Sequence, residues 1–180
     1  MIDSTWTLFL DRDGIINKRI IDGYVKEISQ FVFKDDFIQA MPILNRIFKY
    51  TIVVTNQQGI EKELVTESEV ATIHAYLINS LKEKNIKIDK IYLCPHLAER
   101  NCNCRKPNIG MALNAKKEFP DIDFNKSVMI GDSISDLIFG KNLNMKTVFI
   151  ADTNNYVKSD ILAYADFFCA DMMEFTNLIR

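Results

Sequence analysis

Asp11 and Asp13 stand one residue apart in Asp11-Arg12-Asp13-Gly14, directly after the apolar run Trp6-Thr7-Leu8-Phe9-Leu10. A strand ending at Leu10 puts both carboxylates in the loop beyond it, where Gly14 permits a sharp turn. A carboxylate that attacks phosphorus forms an aspartyl-phosphate and divides a hard hydrolysis into two easier steps. A second carboxylate close by can protonate the leaving oxygen and later deprotonate water. The same doublet also fits a solvated acidic turn, because loop carboxylates are normally exposed. The rest of the chain has to decide between the two.

Three other stretches carry matching chemistry. Thr55-Asn56-Gln57-Gln58-Gly59 offers a hydroxyl, side-chain amides and free backbone N–H groups, which can hold phosphate oxygens without adding a full charge. Its alternative is a polar strand-to-helix turn. In Arg105-Lys106-Pro107, Lys106 can neutralise charge on a transferring phosphoryl group and Arg105 can grip an oxyanion through its fork. Here the alternative is a basic surface pair. In Gly131-Asp132-Ser133-Ile134-Ser135-Asp136, Asp132 brings a hard oxygen ligand of the kind Mg²⁺ prefers. Such an ion would relieve the repulsion between Asp11 and an anionic substrate. A helix N-cap is the rival reading for Asp132, and Asp136 lies one turn further on, able to support the site from behind.

Cys94, His96, Cys102 and Cys104 crowd into one segment, while the fourth cysteine, Cys169, stands alone in an apolar stretch. Three thiols and one imidazole make a closed tetrahedral Zn²⁺ set, with no open position for catalysis. Each half, Cys94-Pro95-His96 and Cys102-Asn103-Cys104, has a single intervening residue, which suits a loop clamp better than a finger. Structural zinc there would stiffen the loop that presents Arg105 and Lys106. Cys169 reads as a small buried apolar residue.

Positioning these groups requires strands that end just before them. Strand candidates are Thr5–Leu10, Thr51–Thr55, Lys90–Leu93, Ser127–Ile130 and Thr147–Ile150, with a weaker one at Asp166–Cys169. Their short, nearly continuous apolar character fits parallel strands covered on both faces. Between them, Val70, Ile73, Leu77 and Leu81 share one helical face behind a capping box at Thr66-Glu67-Ser68-Glu69. Met41, Leu44 and Phe48 mark an earlier helix, in which Pro42 is expected in the first turn. Ile134, Leu137 and Ile138 mark a later one. The alternation predicts an α/β fold with a mainly parallel sheet. Two long stretches without helical pattern, Ile15–Asp36 and Pro95–Asn108, leave the carboxyl ends of predicted strands, the edge where open α/β sheets bind ligands.

The 180 residues suit one domain spanning 1–180, with no repeat, low-complexity tract or composition shift to divide it. A net charge of −2 argues against a nucleic-acid or anionic-membrane partner. No apolar run is long enough to span a bilayer, and Met1-Ile2-Asp3-Ser4 opens no signal peptide. A cytoplasmic protein acting on a small phosphorylated substrate is the expectation.

Taken in order, the four motifs resemble those of the haloacid-dehalogenase (HAD) superfamily of phosphatases across nearly the whole chain. Asp11-Arg12-Asp13-Gly14 matches the first, Thr55-Asn56 the second, Lys106 the third, and Gly131-Asp132 with Asp136 the fourth. The resemblance implies a Rossmann-like core flanked by helices on both faces, with Asp11 as nucleophile and Asp13 as general acid/base. It implies Mg²⁺ on the side chains of Asp11 and Asp132 and the backbone carbonyl of Asp13, and Thr55 and Lys106 on the phosphoryl group.

Within the superfamily, the Cys-x-His, Cys-x-Cys, Arg-Lys-Pro loop resembles two families, the heptose-bisphosphate 7-phosphatases and the histidinol-phosphatases. Gly23-Tyr24-Val25-Lys26-Glu27-Ile28, with Phe31 and Phe33, and Gly110-Met111 favour the first. The five residues between His96 and Cys102 favour the second, the heptose enzymes usually carrying a longer insert. The heptose resemblance implies that Arg105 recognises substrate, that Asp22-Gly23-Tyr24 wall the pocket, and that Asn56 and Gln57 contact substrate. Ile15 stands where both families usually have Thr, Ser133 where they tend to have Lys or Arg, and Ile20-Ile21 lengthen the first loop. The short first loop implies no large cap over the site, which favours a monomer. A nucleic-acid-end phosphatase lacks the basic surface that backbone tracking needs. A non-catalytic zinc module has no need of both carboxylates and Lys106 together.

Overall fold

The structure is a computed structural model that describes residues 2–151 and 158–180. Its strands are β1 (Thr7–Leu10), β2 (Tyr50–Asn56), β3 (Lys90–Cys94), β4 (Ser127–Gly131), β5 (Lys146–Ile150) and β6 (Phe167–Cys169). They form a six-stranded sheet in the order β3-β2-β1-β4-β5-β6, with every pairing parallel. All the expected strands are present, their ends shifted by a residue or two. β1 starts at Thr7 because Asp3 turns the preceding chain, its Oδ1 accepting from the Thr5 N–H and hydroxyl at 2.8 and 2.7 Å.

Along β1, Leu8 and Leu10 enter one apolar layer and Phe9 the other, the alternation that a pleated strand imposes. The helices filling the first layer are α1 (Asp35–Ile47), α2 (Glu67–Glu83) and, at the C-terminus, Met172–Ile179. The second layer packs Phe9, Ile52, Val54 and Met129 against α3 (Gly110–Glu118) and α4 (Ile134–Lys141). A short α5 (Lys158–Tyr164) precedes β6, which makes the C-terminal helix α6. Cys169 lies fully buried in the first layer, as expected. Among the described residues no helix is long and apolar enough to cross a membrane.

The α2 cap forms as the sequence predicts: Glu69 N–H donates to Thr66 Oγ1 at 3.2 Å, and Thr66 N–H donates back to Glu69 Oε2 at 2.7 Å. Val70, Ile73, Leu77 and Leu81 are its buried face. α1 corrects the expectation for Pro42, which lies in the middle of the helix rather than its first turn. The helix starts at Asp35, whose acidic first turn with Asp36 suits the N-terminal dipole. Pro42 therefore cannot donate to the carbonyl of Ile38, a cost of about 3 kcal/mol. The buried stripe Phe37, Ala40, Met41 and Leu44 holds the helix in place despite it. The patterns above mark neither α3, α5 nor α6: α3 buries only Met111 and two alanines, and the other two are short.

The chain leaves β1 toward β2 on one side and returns from β3 to β4 on the other. The strand order therefore reverses between β1 and β4, and the crevice outside their carboxyl ends is the ligand position of such sheets. Asp11 follows β1 and Asp132 follows β4. The segments after β1 and β2 contain no inserted domain, only a single 3-10 turn at Ile28–Gln30 and the loop before α2.

Candidate active site

Asp11 continues the sheet one residue past β1, its N–H donating to the Ile130 carbonyl at 3.0 Å. Its Oδ1 accepts from the Arg12 N–H at 2.7 Å and lies 2.9 Å from Lys106 Nζ. That ammonium lies 2.6 Å from Asp136 Oδ1, so one buried lysine bridges two buried carboxylates. Burial raises the Asp11 pKa to about 6, Lys106 holding it down while Asp136 and Asp13 push it up. Burial works to lower the Lys106 pKa, but Asp11 and Asp136 outweigh it and the ammonium stays charged.

Lys106 is held from behind. Asn56, the last residue of β2, accepts from the Lys106 N–H at 3.0 Å and donates to its carbonyl at 3.2 Å. The amide expected to contact substrate thus fixes the backbone of the lysine, while the residue still borders the cavity. The Lys106–Pro107 peptide is cis. Gln57 departs further from expectation, because it does not line the cavity. It is buried, donating to Asp13 Oδ2 at 2.8 Å and to Thr55 Oγ1 at 2.9 Å, where two acceptors satisfy its amide.

Asp13 sits in a clamp of donors. Arg12 Nη2 reaches both its oxygens at 2.9 and 2.7 Å, Asn17 donates to Oδ1 at 2.9 Å, and Gln57 completes Oδ2. Burial works to raise the Asp13 pKa, but the Arg12 charge and these hydrogen bonds carry it below the usual carboxylate range. Arg12, fully buried beside the Phe31 ring, also meets His74 Nε2 at 3.1 Å. Burial and then Arg12 lower the His74 pKa to about 4, so the imidazole is neutral and accepts from the guanidinium. Sequence reasoning passed over Arg12 and His74. The available signal was an arginine between two acids in a loop pinned to a buried strand.

Asp132 faces Asp11 from the end of β4. Burial, then the Asp11 charge, raises its pKa to about 8, with Arg19 opposing. Arg19 pairs with it, Nη2 donating to Oδ1 at 2.6 Å. The N-cap role belongs to Ser133, which precedes α4 and donates from N–H and Oγ to Asp136 Oδ2 at 3.1 and 2.6 Å. Side-chain oxygens of Asp11, Asp132 and Asp136 lie within 4.8 Å of one another. Asp136 is already committed to Lys106 and Ser133, which leaves Asp11 and Asp132 facing a shared position. Hard carboxylate oxygens facing one position suit Mg²⁺.

Gly14 makes that approach feasible. Its φ is +92°, and a Cβ there would stand 1.9 Å from Asp132 Oδ2. Gly14→Ala is expected to displace Asp132, cost about 1–3 kcal/mol of stability and weaken Mg²⁺ binding by roughly tenfold. Thermal melts and calorimetric Mg²⁺ titration check it; an unchanged Mg²⁺ affinity would show that the contact has no role in cation binding.

A cavity of about 620 Å³ opens above these groups, bordered by Asp11, Asp13, Thr55, Asn56, Arg105 and Lys106 and walled by Asp22, Gly23 and Tyr24. Tyr24 is fixed against the turn after β2: Gln58 Nε2 donates to its hydroxyl at 3.0 Å, and Lys62 Nζ lies 5.6 Å from its ring centroid. Gln58, from the stretch read above as a phosphate holder, also borders this space, as do Arg19 and Lys62, which sequence reasoning did not single out. Of the three departures noted above, Ile15 is a fully buried apolar residue in the first core layer.

Beside the cavity, Cys94, His96, Cys102 and Cys104 converge. Sγ and Nδ1 atoms are separated by 3.5 Å (Cys94 to Cys102), 3.4 Å (Cys102 to Cys104), 3.3 Å (His96 to Cys104) and 2.9 Å (Cys104 to Cys94). Four soft ligand atoms at such spacings fit around one tetrahedral Zn²⁺. Burial works to raise the Cys102 pKa, but the backbone N–H groups of Arg105 and Cys104 and the neighbouring thiols bring it down to about 6. Arg105 Nη1 donates to the His96 carbonyl at 3.2 Å, and Asn108 donates to the Cys102 carbonyl at 2.8 Å. The cluster and the basic residues thus share one loop.

Residues 103–174 match the family model described as HAD-hydrolase-like. The D-glycero-beta-D-manno-heptose-1,7-bisphosphate 7-phosphatase of Pasteurella multocida is 35% identical over 96% of this chain and 96% of its own. The D-glycero-alpha-D-manno-heptose-1,7-bisphosphate 7-phosphatase of Campylobacter jejuni is 40% identical over 82% of this chain and 83% of its own. In structure, the D,D-heptose 1,7-bisphosphate phosphatase of B. bronchiseptica, solved with magnesium and phosphate, superposes with a TM-score of 0.84. It has 23% identity, and each chain is covered to 97%.

Proposed function

The chain belongs to the HAD-type phosphatases, and from that premise we propose that it removes the 7-phosphate of D-glycero-D-manno-heptose 1,7-bisphosphate through a phosphoryl group carried on Asp11. The observation that carries the reaction is the buried Lys106 ammonium 2.9 Å from Asp11 Oδ1, with Asp132 opposite, at the reversal point of the sheet. The substrate rests on the likeness to heptose enzymes over almost the full chain. Cationic Arg105 and Lys62 at the cavity border suit a second phosphate.

Asp11 attacks phosphorus and the bond to the sugar oxygen breaks. Lys106 stays on the nucleophile and takes up charge developing on the phosphoryl oxygens. Thr55 Oγ1, whose lone pair receives Gln57, keeps its hydroxyl hydrogen for a phosphate oxygen. Asp11, Asp132 and the Asp13 carbonyl would hold Mg²⁺, which supplies electrostatic relief between the nucleophile and the anionic substrate. In the clamp of Arg12, Asn17 and Gln57, Asp13 is an acceptor only, the form that takes a proton from the attacking water. To protonate the leaving oxygen in the first half-reaction, Asp13 must enter as the carboxylic acid, turned out of that clamp toward the cavity, and the proton it gives up is regained from the attacking water.

Zn²⁺ on Cys94, His96, Cys102 and Cys104 has a mechanical part, holding the backbone from which Arg105 and Lys106 project. Cys104→Ser is expected to lower bound zinc from one ion per chain to near zero. The same change should cut kcat/KM by roughly 10- to 100-fold through misplacement of the grip, with Asp11 and Mg²⁺ binding retained. Metal analysis beside steady-state kinetics checks it; full activity in a zinc-free variant would remove zinc from the account.

A second reading, histidinol phosphate as substrate, is favoured by the five residues between His96 and Cys102. Hydrolysis of the two compounds with Mg²⁺ present separates them. A higher kcat/KM on the heptose bisphosphate is the expected result, and equal or better turnover of histidinol phosphate would overturn the assignment.

A further inference from the structure

Arg19 holds the two oxygens beside Asp11 that the proposed catalytic ion would need. Its Nη2 lies 2.6 Å from Asp132 Oδ1 and 3.3 Å from the Asp13 carbonyl oxygen. A nitrogen bonded to both groups occupies the volume of an ion bound by both, because Mg²⁺ sits only about 2.0–2.1 Å from each oxygen. Guanidinium and ion cannot share that position.

The cations around the site differ sharply in their freedom to leave. Lys106 and Arg12 have side chains 2% and 1% exposed and are locked among several partners. The Arg19 side chain is 40% exposed and pairs with an Asp132 side chain that is only 4% exposed. It extends from the loop between β1 and α1, close to Ile21, which is 74% exposed. Rotation of this side chain disturbs no packed layer. Asp132, in contrast, is buried close over Gly14.

A released guanidinium remains tethered at the cavity border, on the same space as Lys62 and Arg105. It has given up a carboxylate and needs another anion. We propose that Arg19 competes with the divalent ion for Asp132 and the Asp13 carbonyl, yields both when the ion binds, and then pairs with a second anionic group of the substrate. This rests on the phosphatase reading above and adds a residue selective for bisphosphates over monophosphates. It also makes the Mg²⁺ requirement of this chain steeper than its carboxylates alone would set.

Calorimetric titration of Mg²⁺ into wild type, Arg19→Ala and Arg19→Lys, without substrate, reads the competition directly. The exposed half of the pair is screened by water, so a modest gain is expected: Mg²⁺ binds roughly five- to tenfold more tightly to Arg19→Ala, with Arg19→Lys between. Unchanged or weaker Mg²⁺ binding in Arg19→Ala overturns the exchange. At saturating Mg²⁺, Arg19→Ala should raise the KM for heptose 1,7-bisphosphate roughly tenfold more than that for heptose 7-phosphate; an equal change in both overturns the substrate contact. If wild type hydrolyses neither sugar, the substrate reading fails, and the Mg²⁺ titration still decides the exchange.

Discussion

Asp11→Asn is expected to lower turnover by at least about four orders of magnitude while leaving the protein folded. An amide is too poor a nucleophile to attack phosphorus, yet it keeps an oxygen that can accept from the Arg12 N–H and Lys106 Nζ, the two bonds Asp11 Oδ1 makes. The substitution also removes one of three carboxylates crowded within 4.8 Å. Burial makes the Asp11 carboxylate costly, as its raised pKa reflects, so the variant should melt at the same temperature or slightly higher. Thermal melts with phosphate-release kinetics check both halves. Substantial turnover in the variant would remove Asp11 as nucleophile.

Lys106→Met has the opposite profile, losing stability and activity together. Nζ lies 2.9 Å from Asp11 and 2.6 Å from Asp136, and all three side chains are buried. Removing the ammonium leaves two uncompensated carboxylates, a loss of about 3–5 kcal/mol. That is a large share of the stability of an ordinary domain. Loss of the charge facing the phosphoryl group should cost a further factor of about 10²–10³ in kcat for whatever fraction folds. Adding Asp136→Asn removes one orphaned charge and should restore part of the stability without restoring turnover. Recovery of turnover in the double variant would mean that Lys106 serves the fold alone.

Much of this architecture is readable in the chain because strand ends and chemistry coincide. Leu10, Thr55 and Ile130 close short apolar runs, and a parallel sheet brings successive carboxyl ends to one edge; hence Asp11 and Thr55 border one cavity and Asp132 lies beside Asp11. The Thr66 to Glu69 cap and the Val70 to Leu81 face are local, and both follow from spacing. What escaped depends on partners distant in sequence. Gln57 turns inward because Asp13, 44 residues earlier, accepts its amide. Arg12 is buried because His74 and Phe31 meet it there. Arg19 acquires its position from Asp132, 113 residues away. Pro42 sits in mid-helix because tertiary burial of the α1 stripe outweighs the local rule.

Acid-quench mass spectrometry during turnover detects a phosphoryl group on Asp11 itself. With Mg²⁺ and heptose 1,7-bisphosphate, one phosphoryl group is expected on the peptide carrying Asp11, absent from Asp11→Asn and lost once the substrate is exhausted. A phosphoryl group on Asp13 or elsewhere, or none at any time during active turnover, would contradict it.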